Sequence, residues 1–518
     1  MVAAHTHYGA EGLNFKNKFN QLAFCILCFG LAIRLVWIWK DRLWYDEVWS
    51  ATLAVQPLID LVIGTLRFDP HPPLYYVQLH FWATFSHSTV WLFANSLFWS
   101  CLAIISLFFV AKVLLSERIS LVATALFSTM PAAVTQAHSL RMYPMLTCLS
   151  VWAWYLTNRC LMAPTRITQI ALAAVLLSIS YSHATGVFIF IYAGAYGLWL
   201  IHEEKLTRSQ VVRWLKTNVI VGIISLPAVA NSMVRSASSH TISPGLADIF
   251  KSLADLSAGG LATTHPASVI GTGLLATGAI LFGLRFRQLR PVLVGFVLVP
   301  IALGVAISYL VRPIWIDRTL LFTTPFWALA FAKPLMAVAE TVRKRSRIMI
   351  EVALTSVLCT ALATLSILQF DAIPKPTNFE AGAALISSQL QPGDVVYIPD
   401  NFQYWGIAWY AIGPDWGSPL SVQGNSSLDC NDRWCGILES LGPWWRQRLH
   451  LEPTTRIVWH NNIPFIVGWT IPDQVGHASR VWLITVPGSD YPKAADLKAH
   501  VIEEWTDRMG LRIQLLTD

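Results

Sequence analysis

The sequence predicts a polytopic α-helical membrane protein of about eleven spans with a C-terminal extracytoplasmic α/β domain. Three observations predict it. Of 518 residues, 54% are hydrophobic and 13% charged, about half the charged share of a soluble domain. Apolar runs close to the roughly 20 residues that cross a bilayer recur along the first two thirds of the chain. Tryptophan is abundant, at 23 residues, as expected where aromatic rings line bilayer interfaces.

The predicted spans are 20–39, 90–112, 119–137, 143–160, 167–182, 184–201, 214–232, 267–284, 291–311, 319–338 and 348–369. Residues 1–19 are polar, and no small-residue cleavage site follows the first apolar run. That run therefore reads as a retained first span rather than a signal peptide. Segment 74–87 is apolar but short, and carries Gln78, His80 and His87. It reads as an amphipathic helix lying in the interface. With a cytoplasmic N-terminus, the inner loops carry roughly twice as many Lys and Arg residues as the outer segments before residue 370. Arg343, Lys344, Arg345 and Arg347 form the densest inner group. Counting 74–87 as a full span would move that group outside. The expected location is the inner (plasma) membrane, with the C-terminus on the outer side. The net charge of +7 is spread over short loops, which excludes a nucleic-acid patch and reads as topology.

The chain divides into a transmembrane domain, 1–370, and a soluble domain, 371–518. In the latter, β-rich apolar runs predict strands at 395–399, 456–459, 481–486 and 513–516. Helical patterns cover 379–390 and 493–508, and Pro392-Gly393-Asp394 makes a turn before the first strand. Strand order is not readable. A further short helix is expected at 246–257, inside the long outer loop 233–266. Cys25, Cys28, Cys101, Cys148, Cys160 and Cys359 lie in or beside spans and read as packing residues. Cys430 and Cys435 form either a small disulfide loop or two free thiols. Asn425-Ser426-Ser427 matches the glycosylation triplet, a common chance match.

The chemistry is concentrated in the first outer loop. Asp46 and Glu47 follow the first span directly, among Trp44, Tyr45 and Trp49. The bland reading is a solvated pair at a helix end. Against it stands their place at a membrane edge. A carboxylate partly desolvated there has a raised pKa and can take a proton from an attacking hydroxyl. Asp69-Pro70-His71-Pro72-Pro73 closes the stretch, with three prolines that stiffen the turn. It either holds Asp69 and His71 over a site or merely separates two helices. His138-Ser139-Leu140-Arg141-Met142-Tyr143 lies at an outer junction of two spans, where Arg141 needs an anionic partner. Arg318 follows Asp317 in a similar position. Two guanidinium groups there suit a phosphate, whose oxygens they meet bidentately. His183 and His265 are further outer-side histidines; a lone His is more often structural. There is no H-E-x-x-H, no paired C-x-x-C ligand set and no P-loop, so no metal or other cofactor is expected.

An outer Asp-Glu after span one, then Asp-Pro-His-Pro-Pro-Leu-Tyr-Tyr, then Arg-Met-Tyr at a later span, resembles the dolichyl-phosphate-mannose protein mannosyltransferase superfamily. That superfamily includes the bacterial aminoarabinose transferases that modify lipid A, and shares the GT-C membrane fold. The resemblance covers roughly residues 20–340. It implies a polyprenyl-phosphate-linked sugar donor with its lipid tail in the bilayer. The acceptor would be a hydroxyl of a lipid, lipopolysaccharide, glycan or protein. Asp46 matches the general base, with Glu47 supporting it or contacting the acceptor. His71 lies in the family's HPP motif, and Arg141 matches an Arg near the donor phosphate; Arg318 would share that phosphate. Asp69, Tyr143 and His138 would support the site. Aminoarabinose transferases tend to have Lys where His71 stands, so His71 is nearer the mannosyltransferase form. Direct attack opposite the leaving phosphate would invert the anomeric carbon. Two readings compete. A flippase or transporter of lipid-linked glycans would show inverted repeats and mid-span polar residues; here no repeat is visible and the ionisable residues cluster at one membrane face. A scaffold subunit without turnover is the other.

Overall fold

The computed structural model describes residues 6–235, 242–311, 313–341, 344–373, 377–399, 401–413, 456–460, 463–467, 478–485, 499–506 and 511–517, with residues 375, 475 and 497. Cys430, Cys435 and the triplet at Asn425 lie outside the described residues.

Every predicted span is helical. α1 (Thr6–Leu35) ends where Trp37 takes a left-handed backbone, at φ 72°. α2 (Tyr45–Ala54), α3 (Leu58–Phe68) and α4 (Leu74–Ala83) follow within the first long loop. Next come α5 (Thr89–Leu114), α6 (Glu117–Thr129), α7 (Pro131–Ala137), α8 (Tyr143–Met162), α9 (Arg166–Ser180), α10 (Gly186–Glu203) and α11 (Arg208–Arg235). The expected short helix is α12 (Leu246–Ala258), followed by α13 (Pro266–Gly283). α14 (Arg290–Leu293) runs through a π-helical turn, Val294–Leu298, into α15 (Val299–Leu310). α16 (Thr324–Glu340) and α17 (Lys344–Ala372) complete the spans.

Among the described residues, eight helices are long and apolar enough to cross a membrane, or nine if α6 and α7 form one broken span. The protein is thus a multi-pass membrane protein. α8 is absent from that set because Thr147, Ser150, Thr157, Asn158 and Arg159 make it less apolar, and most of its length, those three hydroxyl residues included, is buried. α9, with 15 residues, is short for a span.

The break between α6 and α7, a 62° bend, is set by Pro131. Proline has no N–H for the Phe127 carbonyl and does not continue the helix. In hydrocarbon the freed carbonyls need other donors. Arg34 supplies them. Its guanidinium is fully buried and donates to Ser128 O at 2.7 Å, Phe127 O at 3.5 Å and Gly30 O at 3.1 Å. Its Nε donates to Ser100 Oγ at 2.8 Å. Ser366 of α17 donates to the third freed carbonyl, Thr129 O, at 3.0 Å. Gly30 permits the approach, because a Cβ there would sit 2.9 Å from Ser128 Oγ.

The chain falls into two compact units. One holds residues 1–38, 96–226 and 240–373 and contains most of the spans. The other holds residues 39–95, 227–239 and 374–518, so the first long loop belongs with the C-terminal part. Within that second unit, the loop helices α3 and α4 differ from expectation. α4 is apolar on both faces: Tyr75, Tyr76, Leu79 and Ala83 are buried while Phe81 is open. The amphipathic helix is α3, which exposes Leu58, Ile59 and Leu66.

The C-terminal part is α/β. α18 (Phe379–Gln389) precedes β1 (Val395–Ile398), and α19 (Asn401–Ala411) follows it. Then come β2 (Arg456–His460), β3 (Ile463–Val467), β4 (Arg480–Thr485), β5 (His500–Thr506) and β6 (Arg512–Thr517). The sheet order is β2-β3-β1-β4-β6-β5, with β1 parallel to β3 and β4 and the other pairs antiparallel. Val395, Tyr397, Ile466, Val481, Leu483 and Leu516 share its core. The expected helix over 493–508 is overturned in its second half by β5. That segment pairs antiparallel with β6 as an edge strand, with a register shift between Val501 and Glu503. Cross-strand partners explain the override. Glu504 accepts from Gln514 Nε2 at 2.7 Å and pairs with Arg512 at 3.4 Å. Charged residues on an edge also discourage further strand addition.

Candidate active site

The first loop builds one half of the candidate site, in the unit that includes the C-terminal part. Trp44 has extended backbone (φ −98°, ψ 176°) and starts α2. Glu47, three residues on, reaches back so that its Oε2 accepts from Trp44 N at 3.3 Å. Glu47 is fully buried. Lys375 Nζ donates to both its carboxylate oxygens, at 3.0 and 2.9 Å. The same ammonium lies 3.6 Å from Asp41 Oδ1 and 4.0 Å from the centre of the Phe93 ring. Burial pushes the Glu47 carboxyl up to about 6, against a smaller downward pull from Lys375.

Asp46 sits one residue earlier, in the first turn of α2, and is only half-buried. The adjacent acids therefore have different surroundings. Glu47 is sealed against Lys375; Asp46 is only half-buried.

Asp69 is 3% exposed and accepts three bonds, from Trp49 Nε1, from Tyr76 OH at 2.8 Å and from His71 N at 2.6 Å. It joins α2, the proline turn and α4 into one frame. His71 is half-buried and held at its backbone by this carboxylate. His80 adds a tie that the sequence did not point to, with Nδ1 2.8 Å from Ala54 O at the end of α2.

The C-terminal part braces the same loop. Leu43 N donates to Tyr410 OH at 2.9 Å, and the Trp49 and Trp405 rings lie 4.6 Å apart. Arg42 pairs with Glu380 at 3.3 Å, but both are about half exposed, so this pair contributes little.

The spanning unit holds the remaining candidates. His138, Arg141 and Tyr143 occupy the tight turn between α7 and α8. Its Ser139 carbonyl accepts from Arg141 N at 2.7 Å and from Ser96 Oγ at 2.6 Å. Arg141 is 6% exposed. The His138 ring packs 4.4 Å from Phe370, and the Tyr143 ring 5.6 Å from buried His183. His183 Nδ1 accepts from Thr185 N at 3.0 Å. Arg318 is exposed, in a 3-10 stretch (Asp317–Thr323) ahead of α16. His265 is exposed and caps α13, accepting from Ala267 N at 3.3 Å. The structure gathers Asp46, Glu47, Asp69 and His71 in one unit and His138, Arg141, Tyr143 and Arg318 in the other. Among the described residues, no group of three His, Cys, Asp or Glu side chains could hold a metal ion.

Glu47 makes a pH prediction. Its native pKa lies above the ordinary 4.5, so the folded state holds this proton more tightly than the unfolded state. The proton therefore favours folding at low pH, and that contribution is lost as pH rises through about 6. Wild type should lose about 2 kcal/mol relative to Glu47→Gln between pH 4.5 and pH 7. Equilibrium unfolding of the two proteins in mixed micelles checks this; parallel curves would refute it.

The architecture is that of the GT-C membrane glycosyltransferases, as the sequence resemblance implies. Among solved structures, the chain is similar to ArnT from Cupriavidus metallidurans bound to undecaprenyl phosphate. The TM-score is 0.54 at 12% identity, covering 97% of this chain and 98% of that one. The apo state of the same protein gives a TM-score of 0.55 at 12% identity, covering 98% of each chain. The Archaeoglobus fulgidus oligosaccharyltransferase, in complex with Zn and sulfate, gives 0.51 at 10% identity, covering 75% of this chain and 61% of that one. At these identities the likeness is one of fold. No protein-family model matches the sequence, and no curated protein matches it either.

Proposed function

We propose that the protein is a membrane glycosyltransferase that moves a sugar from a polyprenyl-phosphate carrier to a hydroxyl acceptor on the outer face of the membrane. The observation that carries the reading is the contrast between two neighbouring acids. Glu47 is buried against Lys375, while Asp46 is half-open at the start of α2. The likeness in fold to ArnT, crystallised with undecaprenyl phosphate, supports the donor class.

In this reading Asp46 takes the proton of the acceptor hydroxyl as its oxygen attacks the anomeric carbon. The bond from that carbon to the phosphate oxygen breaks, and its electron pair leaves with the lipid phosphate. Attack opposite the leaving group inverts the anomeric centre. A phosphate leaving group needs positive charge more than a proton, which is the role assigned to Arg141 and Arg318. His71 would be a further phosphate contact, while Asp69, His138 and Tyr143 support the two halves. The acceptor is a lipid, a lipopolysaccharide, another glycan or a protein. The N-terminus is assigned to the cytoplasm of an inner-membrane protein and the C-terminal part to the outside.

Mass spectrometry of membrane lipids and envelope glycans, from cells with and without the protein, tests the reading. A sugar present only with the protein is the expected result. Identical profiles, or accumulation of an unmodified lipid-linked glycan on one leaflet, would favour the flippase instead. A reporter fused after Asp518 should be active outside the cytoplasm.

A further inference from the structure

Lys375 has no part in the chemistry just described, yet it is built into the loop that carries Asp46. Its side chain is 25% exposed, and its two carboxylate neighbours, Glu47 and Asp41, are 0% and 5% exposed. In the sequence Lys375 stands between Pro374 and Pro376.

A buried ion pair is a weak way to gain stability, since an apolar pair of similar volume does as well or better. Fixing one geometry among several is the better-attested use. Here the fixed geometry is the first turn of α2. Glu47 has one oxygen on Trp44 N, which starts the helix, and both oxygens on Lys375. Asp46 is the preceding residue, about 100° around the helix axis. A first turn that unwinds or rotates moves Asp46 with it. We infer that Lys375 is a positioning residue for the transfer reaction: by holding Glu47 it fixes the first turn of α2 and so the aim of the Asp46 carboxylate. This rests on the function proposed above. It makes the segment after the last span a working part of the catalytic loop. Tyr410 and Trp405, on Leu43 and Trp49, brace the same turn from the same part of the chain.

The test uses full-length protein in proteoliposomes, as wild type, Lys375→Met, Lys375→Arg, Glu47→Gln and the double variant Lys375→Met/Glu47→Gln. Binding is read with undecaprenyl phosphate. Turnover is read with a panel of synthetic undecaprenyl-phosphate-linked hexoses and pentoses and an envelope extract as acceptor. Lys375→Met should lower kcat about 100-fold, the cost of a small misplacement of a reacting group. Its Kd for undecaprenyl phosphate should stay within about threefold of wild type, because the residue acts on the base and not on the donor. Lys375→Arg should recover most of the rate. The double variant should be no slower than Lys375→Met, because the two side chains act as one unit.

A rise in Kd matching the fall in kcat would make Lys375 a phosphate ligand and overturn the inference. Effects that multiply in the double variant would also overturn it. If Lys375→Met does not fold, the double variant, which removes both members of the Glu47–Lys375 pair, carries the test; a wild-type rate in it refutes the role. Wild-type turnover that is unaltered in Lys375→Met removes the role and leaves the glycosyltransferase reading standing. Absence of turnover with every donor in the panel overturns both.

Discussion

Asp46→Asn should abolish sugar transfer, lowering kcat roughly a thousandfold, while the protein stays folded and binds undecaprenyl phosphate as wild type does. Asparagine keeps the shape of the side chain and still fits the first turn of α2, but it cannot take a proton. The choice of Asp46 over Glu47 rests on access. A general base must reach the proton it removes, and Glu47, fully buried with both oxygens on Lys375, offers nothing to an acceptor. Glu47→Gln is therefore expected to slow the reaction by much less than Asp46→Asn. Measured side by side with the sugar donor that wild type uses, the two variants should separate by at least about tenfold. Wild-type transfer by Asp46→Asn would end the base assignment, and a Glu47→Gln variant as dead as Asp46→Asn would return both carboxylates to the reaction.

The spans were legible because hydrocarbon imposes a crude demand that composition answers directly. The fold class, the helix at 246–257 and four of the six strands follow from apolar runs and turn residues. What local pattern could not reveal depends on neighbours outside the segment itself. β5 carries a helix-like arrangement of residues and becomes a strand because β6 lies beside it. In the candidate site, Asp46, Asp69 and His71 stand out in the sequence by type and spacing, but what distinguishes Asp46 from Glu47 does not. That difference is one of burial, and Glu47 is buried against Lys375, which is 328 residues away in the chain. Tyr410 and Trp405 are equally remote and read as ordinary aromatics of the C-terminal part. The bonds that Asp69 accepts from Trp49, Tyr76 and the His71 backbone are likewise invisible to a local pattern. They give the proline turn a mechanical reason: the turn presents His71 N to a carboxylate that also holds α2 and α4.

One signal was present in the sequence and carried more than it first shows. An arginine inside the first apolar run is costly unless its surroundings employ it, and Arg34 is employed at the broken span. Arg34→Leu should destabilise the protein by on the order of 3 kcal/mol. The cause is specific. Phe127 and Ser128 lose the donors of their carbonyls at a place where Pro131 prevents the helix from supplying replacements. Ser100 loses its partner as well. Arg34→Lys should fall between the two, since a single ammonium keeps the charge but not the fork that spans two carbonyls. Ser366→Ala, which frees only the Thr129 carbonyl of its side-chain donor, should cost about 1 kcal/mol. Equilibrium unfolding in mixed micelles ranks the four proteins. If the arginine holds the break, the order is wild type, Ser366→Ala, Arg34→Lys, Arg34→Leu. If Arg34→Leu unfolds within about 0.5 kcal/mol of wild type, the freed carbonyls have found other partners and the break does not depend on the guanidinium.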